Sequence, residues 1–181
     1  MSLYGKNLIV KPQSVLHTKH LRLRPFEMSD VTAIHRFLSD PVATRYWSDP
    51  HTDIAQTERW VRGTMRGAPS EVRDYVLECE GDVIGKAGCW KAPEIGFFLL
   101  PAFQKQRYMT EALTAIIPDL FEAMPIVESL VADVDPRNDA SLTILQRLGF
   151  LETHRAKATL QINGVWCDSV FLRLNRPSAE M

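Results

Sequence analysis

The sequence predicts one mixed α/β domain whose sheet is mainly antiparallel, and three observations carry that expectation. The chain has 181 residues, enough for one domain and short for two. Its hydrophobic period switches repeatedly between the strand and helix values, in the order β-α-α-β-β-β-α-β-α-β-β. Near the end, Asn163-Gly164 separates two strand-like runs, which is a strong short hairpin signal.

The elements follow in order. His20-Leu21-Arg22-Leu23-Arg24-Pro25 alternates apolar and basic residues and stops at proline, as a strand does. Ser29 and Asp30 can cap a helix that carries Val31, Ile34, Phe37 and Leu38 on one face and ends before Asp40-Pro41. A second helix spans roughly Ile54 to Met65 and stops near Gly67-Ala68-Pro69. Arg73–Glu80, a turn at Gly81-Asp82, Val83–Trp90 and Glu94–Leu100 read as an antiparallel meander. From Tyr108 to Met124, Met109, Leu113, Ile116, Ile117, Leu120 and Phe121 recur at helical spacing, with Pro118 expected to kink the helix or remove one hydrogen bond. Val127–Val134 is a strand, and Asn138 caps a short helix that Gly149 ends. Leu151–Gln161 and Trp166–Leu174 close the chain as a hairpin. Residues 1–18 read as a loose N-terminal arm, 19–175 as the domain and 176–181 as a C-terminal tail.

Composition narrows the function classes. A formal net charge of −1 gives no global field to draw nucleic acid or an anionic membrane. The three cysteines, Cys79, Cys89 and Cys167, leave an odd one and form no CxxC pair, which argues against a disulfide scaffold and for a reducing compartment. No apolar run approaches the ~20 residues of a spanning helix, and Leu8-Ile9-Val10 is too brief for a signal core. The expected location is cytoplasmic, with no nucleic-acid or membrane partner. No His/Cys cluster has metal-ligand spacing, so no metal is expected.

Two segments resemble a known family. Glu94-Ile-Gly-Phe-Phe-Leu-Leu-Pro-Ala-Phe-Gln-Lys-Gln-Arg-Tyr-Met-Thr-Glu-Ala-Leu113 resembles the acetyl-CoA-binding core of GNAT acetyltransferases. Val134-Asp-Pro-Arg-Asn-Asp-Ala-Ser-Leu-Thr-Ile-Leu-Gln-Arg-Leu-Gly-Phe150 resembles their second core motif, with Asn138, Ser141, Gly149 and Phe150 at the family spacing. The opening Leu-Arg-Leu-Arg-Pro and the hairpin Asn163-Gly164-Val165-Trp166-Cys167-Asp168 look like the RimJ/RimL-like branch. The similarity covers about residues 19–175.

The resemblance implies a sheet splayed after the fourth strand, Glu94–Leu100, with helices on both faces. It implies transfer of an acetyl group from acetyl-CoA to an amine of a small molecule or a protein N-terminus, by direct attack in a ternary complex. Pantetheine would pair with the open edge at Phe97 to Leu100, through Phe98, Leu99 and Leu100. Gln104, Lys105, Gln106, Arg107, Tyr108, Met109 and Thr110 form a strand-to-helix turn whose free N–H groups and helix dipole suit a pyrophosphate. In the resemblance Asn138 also holds pantetheine, Ser141 protonates the leaving thiolate and Glu94 stands as a possible base. Trp47 and Trp166 sit in loop and hairpin segments suited to the acceptor, whereas Trp60 and Trp90 are assigned to the core.

Plainer readings stand beside these. Asn138 and Ser141 suit the start of any helix, and Glu94 could be a solvated carboxylate. One departure bears directly on function. The family turn reads Gln/Arg-x-x-Gly-x-Gly/Ala, and here Arg107 and Met109 replace the small residues. Their side chains could crowd the phosphates, while Lys105 and Arg107 could pair with them. Two readings therefore stay open: an active N-acetyltransferase, monomeric or homodimeric, or a non-catalytic binding module with a degenerate phosphate turn.

Overall fold

Alternation places each strand residue on one of two faces, and in this chain both faces are covered. The computed structural model describes residues 12–178. Strands β1 (Leu16–His17) and β2 (Arg22–Arg24) precede helices α1 (Val31–Leu38) and α2 (Ile54–Arg66). Strands β3 (Arg73–Cys79), β4 (Asp82–Lys91) and β5 (Glu94–Leu99) then lead into α3 (Tyr108–Ala123). After them come β6 (Ser129–Val134), α4 (Asp139–Arg147), β7 (Leu151–Ile162) and β8 (Val165–Asn175). The strands form one sheet in the order β1-β2-β3-β4-β5-β6-β8-β7.

Neighbouring β3 residues serve different cores. Tyr75 and Leu77 join a cluster with Leu113, Ile116 and Leu120 of α3 and Leu145 of α4. Val76 joins Ile34, Phe37 and Leu38 of α1 and Val61 of α2. Phe98 and Leu99 of β5 divide in the same way between the two clusters. Helices therefore lie on both sides of the sheet, α1 and α2 on one and α3 and α4 on the other.

Every ladder is antiparallel except that between β5 and β6, which is parallel and reduced to one register pair, Glu94 with Val131. The Val131 N–H donates to the Pro93 carbonyl at 3.0 Å, and beyond this point the two strands part. The splay lies after Glu94–Leu99, where the sequence places it. That strand is fifth rather than fourth, because Leu16–His17 pairs with Leu23 and Arg22. Two residues are too few to show a period, so the strand was invisible within the expected arm, and residues 1–11 lie outside the described part.

Other details also depart from the sequence reading. Asp30 is the N-cap residue of α1, but its carboxylate reaches back to the Glu27 N–H and forms a buried ion pair with Arg24 at 2.6 Å instead of accepting an α1 amide. Helix α3 continues through Pro118 to Ala123. Arg176, placed in the tail, donates to the carbonyls of Phe121, Met124 and Val127, tying β8 to the end of α3. Residues 179–181 lie outside the described part.

Candidate active site

The turn after β5 supplies the first component. Gln104 Nε2 donates to the Leu99 carbonyl at 3.1 Å, folding the turn back on the strand it leaves. Lys105 and Arg107 have φ values of 63° and 64°, the left-handed region in which glycine is favoured. Arg107 keeps the backbone conformation its glycine counterpart would take, and it is the N-cap residue of α3. Among the described residues no side chain caps its N-terminus. Its first amides and the positive end of its dipole are therefore available, beside Lys105 and Arg107, to an anionic group.

Helix α4 supplies the second component. Asn138 Oδ1 accepts the Ser141 N–H at 3.2 Å, which closes the first turn. The Ser141 hydroxyl makes no hydrogen bond among the described residues, and its side chain is half-buried at a cavity wall. Upstream, Asp135 binds the Arg137 guanidinium at 2.5 Å and also accepts the Arg137 N–H at 2.8 Å, which fixes the bend between β6 and α4. The Arg137 hydrogen bonds outweigh the opposing effect of burial and hold the Asp135 carboxyl below its ordinary range.

Between these components lies a cavity of about 700 Å³. Phe97, Phe98 and Leu99 line it from β5, and Gln104, Lys105, Arg107, Tyr108, Met109 and Thr110 from the turn and α3. Asn138, Ser141, Ile144 and Arg147 line it from α4, and Val42, Ala43, Arg45, Tyr46 and Trp47 from the loop after α1. Of the residues expected at the cofactor, only Leu100 and Gln106 stand apart. Leu100 is packed in the core beneath α1 and α2, and Gln106 is exposed with its amide on the Ala102 carbonyl.

A second cavity, of about 420 Å³, opens on the other side of the same loop. Tyr46 and Trp47 line both cavities, so this pair forms the partition. Trp47 meets Phe98 edge-on at 5.7 Å, and the buried Lys86 ammonium lies 4.9 Å from its ring centroid. Tyr46 is held between Arg45 at 4.7 Å and Arg137 at 5.6 Å. Gly96 gives the indoles room, since a Cβ there would lie 3.0 Å from Trp47 and 3.4 Å from Trp90. Glu94, Asp133, Asp135 and Asp168 also line this cavity. Burial raises the Glu94 carboxyl above its ordinary value, the Asp133 charge adds to that rise, and the Trp90 indole and Lys91 oppose it.

The structure thus brings Glu94 and Trp47 to one cavity but leaves Trp166 outside both, 61% exposed on the β8 hairpin. Trp90 is a correction. It is 45% exposed and lines the second cavity instead of the core, because it lies at the end of β4, beyond the cover of α2. Sequence reasoning missed Tyr46, Trp90, Asp133, Asp135 and Asp168. The one available signal was the aromatic pair Tyr46-Trp47 in a loop. Among the described residues no group of three metal-ligating side chains converges, and no helix is long and apolar enough to cross a membrane.

Comparison with known proteins identifies the fold and the family. Probable N-acetyltransferase YjcK of Bacillus subtilis is 32% identical over 93 residues, 51% of each chain. The [ribosomal protein uS5]-alanine N-acetyltransferase of Escherichia coli is 33% identical over 105 residues, 54% of each chain. The chain thus spans about half the length of these two curated relatives. Among solved structures, RimL, a ribosomal L7/L12 alpha-N-protein acetyltransferase in complex with coenzyme A, superposes with a TM-score of 0.79 at 21% identity. That superposition covers 90% of this chain and 98% of RimL, and shows the shared fold. The family model described as acetyltransferase (GNAT) domain matches residues 20–151, and the chain belongs to that family.

Proposed function

We propose that the protein transfers an acetyl group from acetyl-CoA to an amine, with the cofactor in the larger cavity and the acceptor in the smaller. The observation that carries this reading is the β5–β6 splay, which opens one strand edge between an uncapped helix N-terminus and the Ser141 hydroxyl. The charges fit the cofactor. Arg45, Lys105, Arg107 and Arg147 line the larger cavity against one carboxylate, Asp139. Acetyl-CoA supplies the activated acetyl group as a thioester.

The β5 edge aligns the pantetheine arm as an added strand would, and the α3 N-terminus with Lys105 and Arg107 holds the pyrophosphate. Glu94, whose raised affinity for protons suits a base, takes a proton from the acceptor ammonium, directly or through water. The neutral nitrogen forms its bond to the acetyl carbon as the carbon–sulfur bond breaks, and the acylated nitrogen then loses its second proton to solvent, leaving a neutral amide. Ser141 gives its proton to the departing thiolate and recovers one from solvent. Trp47 walls the acceptor from the cofactor cavity.

The left-handed backbone at Arg107 weakens the non-catalytic alternative. The turn keeps a glycine-like path without glycine, and the substituted side chain adds positive charge at the mouth. The test is CoA release from acetyl-CoA over a panel of small amines and peptide N-termini, with acetylated product confirmed by mass. Amine-dependent release supports the reading, and cofactor binding without release across the panel supports the binding module.

A further inference from the structure

The two cavities have opposite electrostatic character. The larger one is lined by four cationic side chains. In the smaller one, among the described residues, no lysine or arginine lines the wall, and four carboxylates do. Asp135 is neutralised by Arg137, and the nearby Lys86 is matched by Asp74 at 2.8 Å behind the β5 floor. Glu94, Asp133 and Asp168 are left facing the cavity. Asp133 makes no hydrogen bond among the described residues, while Asp168 accepts only the Ala158 N–H, at 3.0 Å.

A single reacting amine does not account for this surplus. It must shed its proton to attack, so its charge is lost from the site at the moment of reaction. One carboxylate serves as the base, and Asp133 and Asp168, both exposed at the cavity, remain without an ion-pair partner among the described residues. They gain from an acceptor only if it keeps a positive charge after the reacting nitrogen has become neutral. The indoles of Trp47 and Trp90, both lying against Gly96, add faces that attract cations.

The rim decides the size of the acceptor. Asp49, just after the Tyr46-Trp47 partition, accepts the N–H of Asn163 at the tip of the β7–β8 hairpin at 2.5 Å. This bond ties the loop after α1 to the hairpin across the side of the cavity, close to Ile162 in its wall. A compact acceptor fits such an enclosure better than a continuing peptide. A volume of about 420 Å³ also lies within the small-molecule range of about 300–1,000 Å³.

We propose that the acceptor is a small amine with a second, permanently cationic nitrogen, held by Asp133, Asp168 and the Trp47–Trp90 indoles while the first nitrogen is acetylated. This inference rests on the acetyltransfer reading above. Putrescine and n-butylamine test it, since they share a carbon skeleton and differ by one ammonium group. Two quantities are compared, kcat/KM for CoA release and calorimetric affinity for the protein, with and without CoA.

The expected result is a preference for putrescine of roughly tenfold or more in both measurements. That preference should shrink severalfold in Asp133→Asn and in Asp168→Asn and should fall with added salt. Equal handling of the two amines, or a preference that survives both variants, would overturn the inference. So would faster acetylation of a peptide N-terminus than of putrescine. Acetyl-CoA titration without amine tests the underlying reading separately. Because amine binding is also read without CoA, the comparison decides the inference even if the cofactor does not bind.

Discussion

The Lys86 ammonium lies fully buried 2.8 Å from Asp74 and 4.9 Å from the centre of the Trp47 ring, so one ion pair inside the sheet supports the partition between the two cavities. It also donates to the Gly96 carbonyl at 3.1 Å, and Asp74 Oδ1 has no hydrogen-bond partner. Asp74 is thus held in the interior chiefly by Lys86. Lys86→Met should cost about 3–5 kcal/mol in urea denaturation, because it strands a buried carboxylate. Adding Asp74→Asn to that variant should restore part of the loss. Equal losses in the single and double variants would show that packing, not charge, dominates there.

Arg107 separates backbone strain from charge. A non-glycine residue at φ 64° costs about 1–2 kcal/mol, so Arg107→Gly should gain about 1 kcal/mol in stability while Arg107→Ala gains none. Both variants should bind acetyl-CoA more weakly, with the deficit larger at low salt than at high. Tighter binding by the glycine variant would mean that the side chain obstructs the phosphates.

Ser141 is tested by removing its hydroxyl. Ser141→Ala keeps the backbone N–H that Asn138 accepts, so stability should change by less than about 1 kcal/mol. Turnover should fall by ~10²–10⁴-fold with acetyl-CoA affinity close to wild type. Retained turnover would move the proton donor elsewhere, and lost affinity would assign Ser141 to positioning.

Glu94 gives a pH signature in stability. Burial raises its carboxyl in the folded protein, so in the window above the ordinary value of about 4.3 the folded state holds a proton that the unfolded state has lost. Stability from this group is therefore present at lower pH and lost as pH rises through the folded value. Glu94→Gln should match wild type near pH 4 and exceed it near pH 8 in chemical denaturation. A deficit at the higher pH would show a stabilised carboxylate instead.

The element order along the chain, apart from the two-residue β1, was legible because the elements carry their own signals. Asn163 and Gly164 turn with φ values of 50° and 76°, and Asn138 caps α4 as its type and position suggest. Most of the larger cavity was legible because two of its walls come from short contiguous segments, 97–110 and 138–147, whereas the loop after α1 that forms its third wall carries no such signal. The smaller cavity was not, since Trp90, Asp133 and Asp168 meet only across the splay, and alternation along each strand does not reveal which strand ends face one another. Trp90 illustrates the limit. It follows directly on Ile84–Cys89, a run buried on both faces, so its exposure depends on where the cover ends, and cover is a tertiary property.

The most direct test of the account is calorimetric titration of acetyl-CoA into the wild-type protein at low and high salt. The larger cavity, with its uncapped α3 N-terminus, Lys105 and Arg107, predicts saturable one-to-one binding that weakens as salt rises. Absence of binding at millimolar acetyl-CoA, or binding indifferent to salt, would contradict it.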